Sequence, residues 1–187
     1  MVVLGIDPGS LNTGYGVLKS CGGKVTALAC GVVRLQSMQS HADRIGKIYQ
    51  ELEKVIRVYR PECAALETVF LSRNAQSALK LGQVRGAVIA LAMNSGLELH
   101  EYTPRQVKLA VTGKGAASKE QVAFMVTKML GFETAPEPYD ITDALGIALC
   151  DLSRAAGPAP PGTGRKSRSE NSGWSQFVRE SPHMVIR

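Results

Sequence analysis

The sequence predicts an α/β protein built on a five-stranded sheet of mixed direction, flanked by helices. Three observations carry this. The chain opens with three strand-like runs joined by Gly-rich turns, the pattern of antiparallel neighbours. Helical and strand-like segments then alternate, which adds parallel strands through crossovers. The 187 residues, 44% of them hydrophobic, suffice for one domain with its own core.

Residues 2–7, 13–19 and 24–35 read as the first three strands. Gly9 through Gly16 turn the chain once, and Gly22-Gly23 turn it again. Residues 40–59 form an amphipathic helix, because Ile45, Ile48, Leu52, Val55 and Ile56 recur at helical spacing. Pro61 ends it, and residues 62–67 give a fourth strand. Residues 74–95 form a second helix with a small-residue stripe of Ala75, Ala78, Gly82, Gly86 and Ala90. Such a stripe fits close approach to another helix or packing on the chain's own sheet. Residues 97–102 alternate as a fifth strand, and a short helix follows Pro104. Ser118 is a good N-cap for a helix over 119–130, and a final helix spans roughly 140–156. The first and fourth strands are expected side by side and parallel at the sheet centre.

The predicted domain covers 1–157. From Pro158 the chain turns Pro/Gly-rich and basic, which reads as a disordered tail over 158–187. Net charge is +6, and the tail, with five Lys or Arg against two Glu, holds +3 of it. A polyanionic partner therefore fits, but on residues 1–157 its surface must be a local patch. Cys21, Cys30, Cys63 and Cys150 form no CxxC pair and read as buried, reduced thiols rather than a zinc site. There is no signal-peptide pattern and no membrane-length apolar run, so the expected location is the cytosol.

Four carboxylates carry the chemistry. Asp7 ends the first strand, Glu67 ends the fourth, and Asp140 and Asp143, at i and i+3, share a face of the last helix. In open α/β sheets ligands bind at the carboxyl ends of the strands. Acids meeting there repel one another, and without a cation their pKa values rise. Hard oxygen donors from separate elements suit Mg²⁺ or Mn²⁺. Two ions about 3.5–4 Å apart suit phosphodiester hydrolysis. Three of the acids have a plainer reading as well. Asp140, after Pro136 and Pro138, fits an N-cap with Asp143 near N3, and for this pair alone capping explains as much as catalysis. Asp7 before Pro8-Gly9 fits a turn former. Glu67 has no such local task, and the conjunction of all four favours a functional site.

Specific motifs go further. They are Gly5-Ile6-Asp7-Pro8-Gly9-Ser10 with Thr13-Gly14-Tyr15-Gly16, then Leu66-Glu67-Thr68-Val69-Phe70 and the run from Asn74 to Gly86. Pro104-Arg105-Gln106-Val107-Lys108 and Asp140-Ile141-Thr142-Asp143-Ala144-Leu145 complete the set. Over about residues 2–155 the chain resembles the RuvC family of bacterial Holliday junction resolvases. The resemblance implies an RNase H-like fold and a homodimer that nicks opposing strands of four-way junction DNA. It also implies cooperation with the RuvA–RuvB branch-migration complex. It makes Asp7, Glu67, Asp140 and Asp143 the metal-binding catalytic acids, with Mg²⁺, two per site, as the expected cofactor and Mn²⁺ as a substitute. Phe70 matches a family aromatic that contacts junction bases. Lys108 and Lys119 match basic positions supporting DNA binding or cleavage, and Arg73 lies where the family contacts DNA. Lys114, between Gly113 and Gly115, is a further phosphate contact on the ground that bare glycines admit a backbone. Without the resemblance, Phe70 reads as core and the lysines as solvated surface.

Three other functions stay open on the residues. A DNA-binding module needs the basic surface but not converging acids. An RNA nuclease of the same fold keeps the acids without junction preference. The Gly5–Ser10 loop also fits the phosphate cradle of actin-like ATPases, although the chain is short for their duplicated fold.

Overall fold

The computed structural model describes residues 1–38, 40–68 and 74–155. Five strands and five helices follow in chain order. They are β1 (Val2–Asp7), β2 (Asn12–Cys21), β3 (Lys24–Arg34), α1 (His41–Tyr59), β4 (Cys63–Glu67), α2 (Ala75–Asn94), β5 (Glu98–Tyr102), α3 (Pro104–Thr112), α4 (Lys119–Leu130) and α5 (Tyr139–Ala155). The sheet order is β3-β2-β1-β4-β5. β1, β2 and β3 pair antiparallel, whereas β4 pairs parallel with both β1 and β5. The mixed sheet and the central β1–β4 pair thus stand as the sequence predicts.

Local chemistry accounts for the ends of the elements. Ser40 caps α1 by accepting from the Asp43 N–H. Thr103 and Ser118 open α3 and α4 with reciprocal capping boxes to Gln106 and Gln121. Gly113 and Gly131 close those helices in the left-handed conformation. Among the described residues no helix is long and apolar enough to cross a membrane.

The sheet divides the core in two. Leu4, Ile6, Ala64 and Leu66 point to one face, where Ile48, Leu52, Val84, Val88 and Leu91 of α1 and α2 cover them. The alternate residues Val3, Cys63, Ala65 and Tyr102 face the other side, beneath Leu145, Ala148 and Leu152 of α5. By that parity Asp7 and Glu67 also point toward α5.

α5 lies unusually close to the sheet. A Cβ on Gly5 would overlap the Ala144 carbonyl oxygen and Ala148, and one on Gly16 would press into Leu145. A Cβ on Gly14 would overlap the Asp140 carbonyl oxygen. Glycine at these three positions therefore lets the helix rest on bare backbone. This contact, rather than an extended side-chain layer, sets where α5 begins.

Candidate active site

Each acid reaches the site by its own route. Asp7 is the last residue of β1 and pairs with Gly14 of β2. Gly14 touches the start of α5 at Asp140, so the strand end and the helix start meet. Ile6 and Leu66 are partners in the parallel ladder, which leaves Asp7 and Glu67 at neighbouring strand ends. Beyond Glu67 the edge is held by the Thr68 N–H, which donates to the Tyr102 carbonyl at 2.7 Å. Arg85 of α2 donates to the Glu67 carbonyl and pairs with Glu101, clamping the end of β4 to β5.

The loop after Asp7 is closed on itself. Thr13, fully buried, donates through Oγ1 to the Gly9 carbonyl at 2.9 Å and accepts the Gly9 N–H at 3.3 Å. Gly9 thus spends its donor inside the turn, which weakens the phosphate-cradle reading of this loop. The capping reading of the helix pair also fails. α5 starts at Tyr139, so Asp140 lies inside the first turn. The Asp143 carboxylate does not return to the backbone, and its Oδ2 accepts from Lys119 Nζ at 3.2 Å.

All four acids are half-buried, and their electrostatics are those of one cluster. Burial, then the charges of Asp143, Glu67 and Asp140, pushes the Asp7 carboxyl up to about 7, against the pull of Lys119. Glu67 is raised by burial and by Asp143, with Lys119 and Lys108 opposing. Asp143 is also raised, chiefly by burial, while Lys119 draws it down. Lys119 is held more basic by Asp143. A cleft of about 260 Å³ opens here, lined by Glu67, Asp143, Lys108 and Lys119 over an apolar floor of Pro104, Val107, Val122 and Ile147.

Asp7, Glu67, Asp140, Asp143, Lys108 and Lys119 are therefore brought together. Lys114 sits on the exposed α3–α4 loop, whose backbone is tied by the Thr112 hydroxyl, and does not join the acids. Phe70, Arg73 and the tail from 158 onward lie outside the described residues. Sequence reasoning missed Arg85, because nothing local links it to Glu67. It also read Asp151 as an ordinary helix residue, yet Asp151 is 1% exposed and contacts Cys63, His100 and Tyr102. An acid within the apolar run Leu145–Leu152 was the available signal.

Comparisons with known proteins place the chain in a family. The family model described as "Crossover junction endodeoxyribonuclease RuvC" matches residues 3–151. A relative of that description from Pelodictyon phaeoclathratiforme is 67% identical over 187 residues, covering 100% of this chain and 98% of its own. One from Chlorobium phaeobacteroides is 61% identical, with both chains covered in full. Thermus thermophilus RuvC, solved in complex with Holliday junction substrate, superposes with a TM-score of 0.76 at 37% identity. That match covers 83% of this chain and 96% of the other.

Proposed function

The chain belongs to the RuvC family of crossover junction endodeoxyribonucleases, and we propose from that premise that Asp7, Glu67, Asp140 and Asp143 are its metal-binding catalytic acids. The enzyme resolves four-way DNA junctions by paired, metal-dependent nicks in opposing strands during recombination and repair. The observation that carries the assignment is the convergence of four half-buried carboxylates at one sheet edge, with Lys119 as the ion-pair partner of Asp143.

The donor set fits a divalent cation. It is all oxygen, and burial together with the neighbouring acids' charges raises the Asp7 carboxyl to about 7, a cost that a bound cation relieves. Mg²⁺, two ions per site, is the assigned cofactor, with Mn²⁺ able to substitute. When bound, the metal neutralises the acids, activates water and stabilises the leaving oxygen. The protein supplies position. The β1–β4 ladder fixes Asp7 beside Glu67, and the glycine seam fixes Asp140 and Asp143 above them. Lys119 restrains the Asp143 carboxylate, and Lys108, on the cleft wall, offers positive charge to the scissile strand. Phe70, Arg73 and Lys114 are assigned to junction contacts.

One acid cluster makes one cut, so paired nicks call for a symmetric homodimer, whose two-fold matches that of a junction. The α2 face supports this. Gly82 and Gly86 have open space where a Cβ would stand, Leu79 is 64% exposed and Met93 58%. The stripe does not pack on its own sheet at these positions, which leaves it free for a partner copy. Cooperation with the RuvA–RuvB complex, a cytoplasmic location and a separate basic tail over 158–187 belong to the same proposal.

The test compares a mobile four-way junction, a linear duplex and structured RNA, with nick sites mapped at saturating Mg²⁺. Paired nicks confined to the junction are expected. Equal cleavage of RNA or duplex refutes the junction selectivity. Gly82→Glu should turn a sedimenting dimer into a monomer, and a wild-type monomer that still makes paired nicks refutes the dimer.

A further inference from the structure

A second group of chemically active side chains lies on the same face of the sheet, further along α5. Cys63 opens β4, His100 is central in β5, and Asp151 is eight residues beyond Asp143 on α5, roughly 12 Å at 1.5 Å per residue. The parity that points Glu67 at α5 also points Cys63 there, and His100 and Tyr102 alternate with Leu99 of the opposite face. One ligand atom from each of Cys63, His100 and Asp151 lies within 4.8 Å of the others, the one such trio among the described residues. The nuclease acids are gathered but not drawn to that distance.

We propose that Cys63, His100 and Asp151 form a second metal site, selective for a thiophilic divalent ion such as Zn²⁺ and separate from the catalytic carboxylates. One thiolate, one imidazole and one carboxylate is a donor set suited to Zn²⁺ and poorly suited to Mg²⁺. The supporting shell is also present. Glu98 Oε1 lies 3.0 Å from His100 Nε2 and holds Nδ1 toward Asp151, the arrangement that orients metal-bound histidines. The Tyr102 hydroxyl donates to Asp151 Oδ1 at 2.7 Å and steadies the carboxylate. Cys63 and Asp151 are 2% and 1% exposed, but the His100 side chain is 26% exposed and gives an ion a way in. Three protein donors leave a fourth position for water.

The exchange balances. Without the ion, the Cys63 thiol donates to Asp151 Oδ2 at 3.3 Å, and His100 Nδ1 lies 2.6 Å from Asp151 Oδ1, a hydrogen-bond distance that requires one proton on one of the two atoms. Binding releases those two protons to solvent and forms bonds to Sγ, Nδ1 and a carboxylate oxygen. The ion's two positive charges meet one thiolate and one carboxylate, so the buried site stays neutral overall. The bonds tie β4, β5 and α5 together, and β4 and α5 present Glu67, Asp140 and Asp143. The site is thus a staple behind the nuclease centre rather than part of it.

Co²⁺ titration of the full chain, without DNA or Mg²⁺ near neutral pH, tests this. The expected result is thiolate-to-cobalt charge-transfer absorption saturating at one equivalent and bleached by Zn²⁺. Cys63→Ser should abolish the band. Glu98→Gln, at an exposed position, should weaken Co²⁺ binding about 10–100-fold, and His100→Gln at least as much. The double variant Cys21→Ser/Cys30→Ser and the nuclease variant Asp7→Asn should both keep the band, which separates this site from other thiols and from the carboxylates. Absence of a thiolate band in the wild type overturns the proposal. So does a band that survives in folded Cys63→Ser. Should Cys63→Ser not fold, a band indifferent to His100→Gln overturns it equally.

Discussion

Replacing Asp7 by Asn should stabilise the metal-free protein while destroying its nuclease activity. The Asp7 carboxyl rises from 3.8 to about 7 on folding, because it is buried among Asp143, Glu67 and Asp140. A group with a raised folded pKa favours the folded state at low pH. That contribution is complete below about 4 and is lost as pH climbs through 7. Three units at about 1.4 kcal/mol each give at most ~4 kcal/mol of strain from ionised Asp7 above neutrality. Asn keeps the shape and cannot ionise. Urea unfolding in EDTA, run for both proteins from pH 4 to pH 8, should therefore show no stability difference at the acid end. At the alkaline end Asp7→Asn should lead by as much as ~4 kcal/mol. Saturating Mg²⁺ should close the gap by stabilising the wild type more than the variant, since a ligand that binds only the folded form adds its binding energy to stability. Junction binding should survive, and metal-dependent cleavage should fall by orders of magnitude. A variant less stable than wild type at pH 8 in EDTA, or one that still cleaves, refutes the reasoning.

Four further outcomes follow from the structure. Lys119→Ala removes the partner of Asp143 and should lower cleavage and reduce the salt slope of junction binding by roughly one counterion; an unchanged slope with unchanged cleavage places this lysine on idle surface. Gly14→Ala drives a methyl into the Asp140 carbonyl and should cost about 1–3 kcal/mol by thermal or urea unfolding and roughly 100-fold in cleavage. Gly46→Ala, with open space around it on α1, should gain up to about 1 kcal/mol and leave cleavage alone. Arg85→Ala frees the Glu67 carbonyl and the end of β4, so single-turnover cleavage should drop about tenfold or more at unchanged junction affinity.

The sequence made Asp7 and Glu67 legible because each closes an apolar run, and a strand end in an α/β sheet is a fixed place. Their adjacency needed only the parallel β1–β4 pair, which the crossover through α1 forces. Asp140 and Asp143 were legible as a pair, but from the residues alone a cap and a ligand share one local pattern. What separates them is the helix starting at Tyr139 and the reach of Asp143 to Lys119, a contact 24 residues away in sequence. The Cys63–His100–Asp151 group was hidden for a related reason. Its members come from three elements and meet only once β4, β5 and α5 have taken their register. Cys63 read as an ordinary apolar thiol, since at the start of a buried strand it has the surroundings of one. Arg85 lies on a helix read for its small residues, and its two partners are a backbone carbonyl and an acid on other elements.

The bare-backbone contact beneath α5 also bears on how this enzyme tolerates change. Where a helix rests on side chains, every substitution in the layer moves it slightly, and the error reaches whatever the helix carries. Here Gly5, Gly14 and Gly16 leave few atoms to vary between the sheet and the residues that present Asp140 and Asp143. The helix behaves as a rod laid against a stop. The opposite face, filled by Leu4, Ile6, Ile48, Leu52 and their neighbours, is cushioned by ordinary side chains on the far side of that stop. A library that randomises hydrophobic residues on the α1/α2 side should therefore return many active enzymes of differing stability. A library across the α5 seam should return almost none.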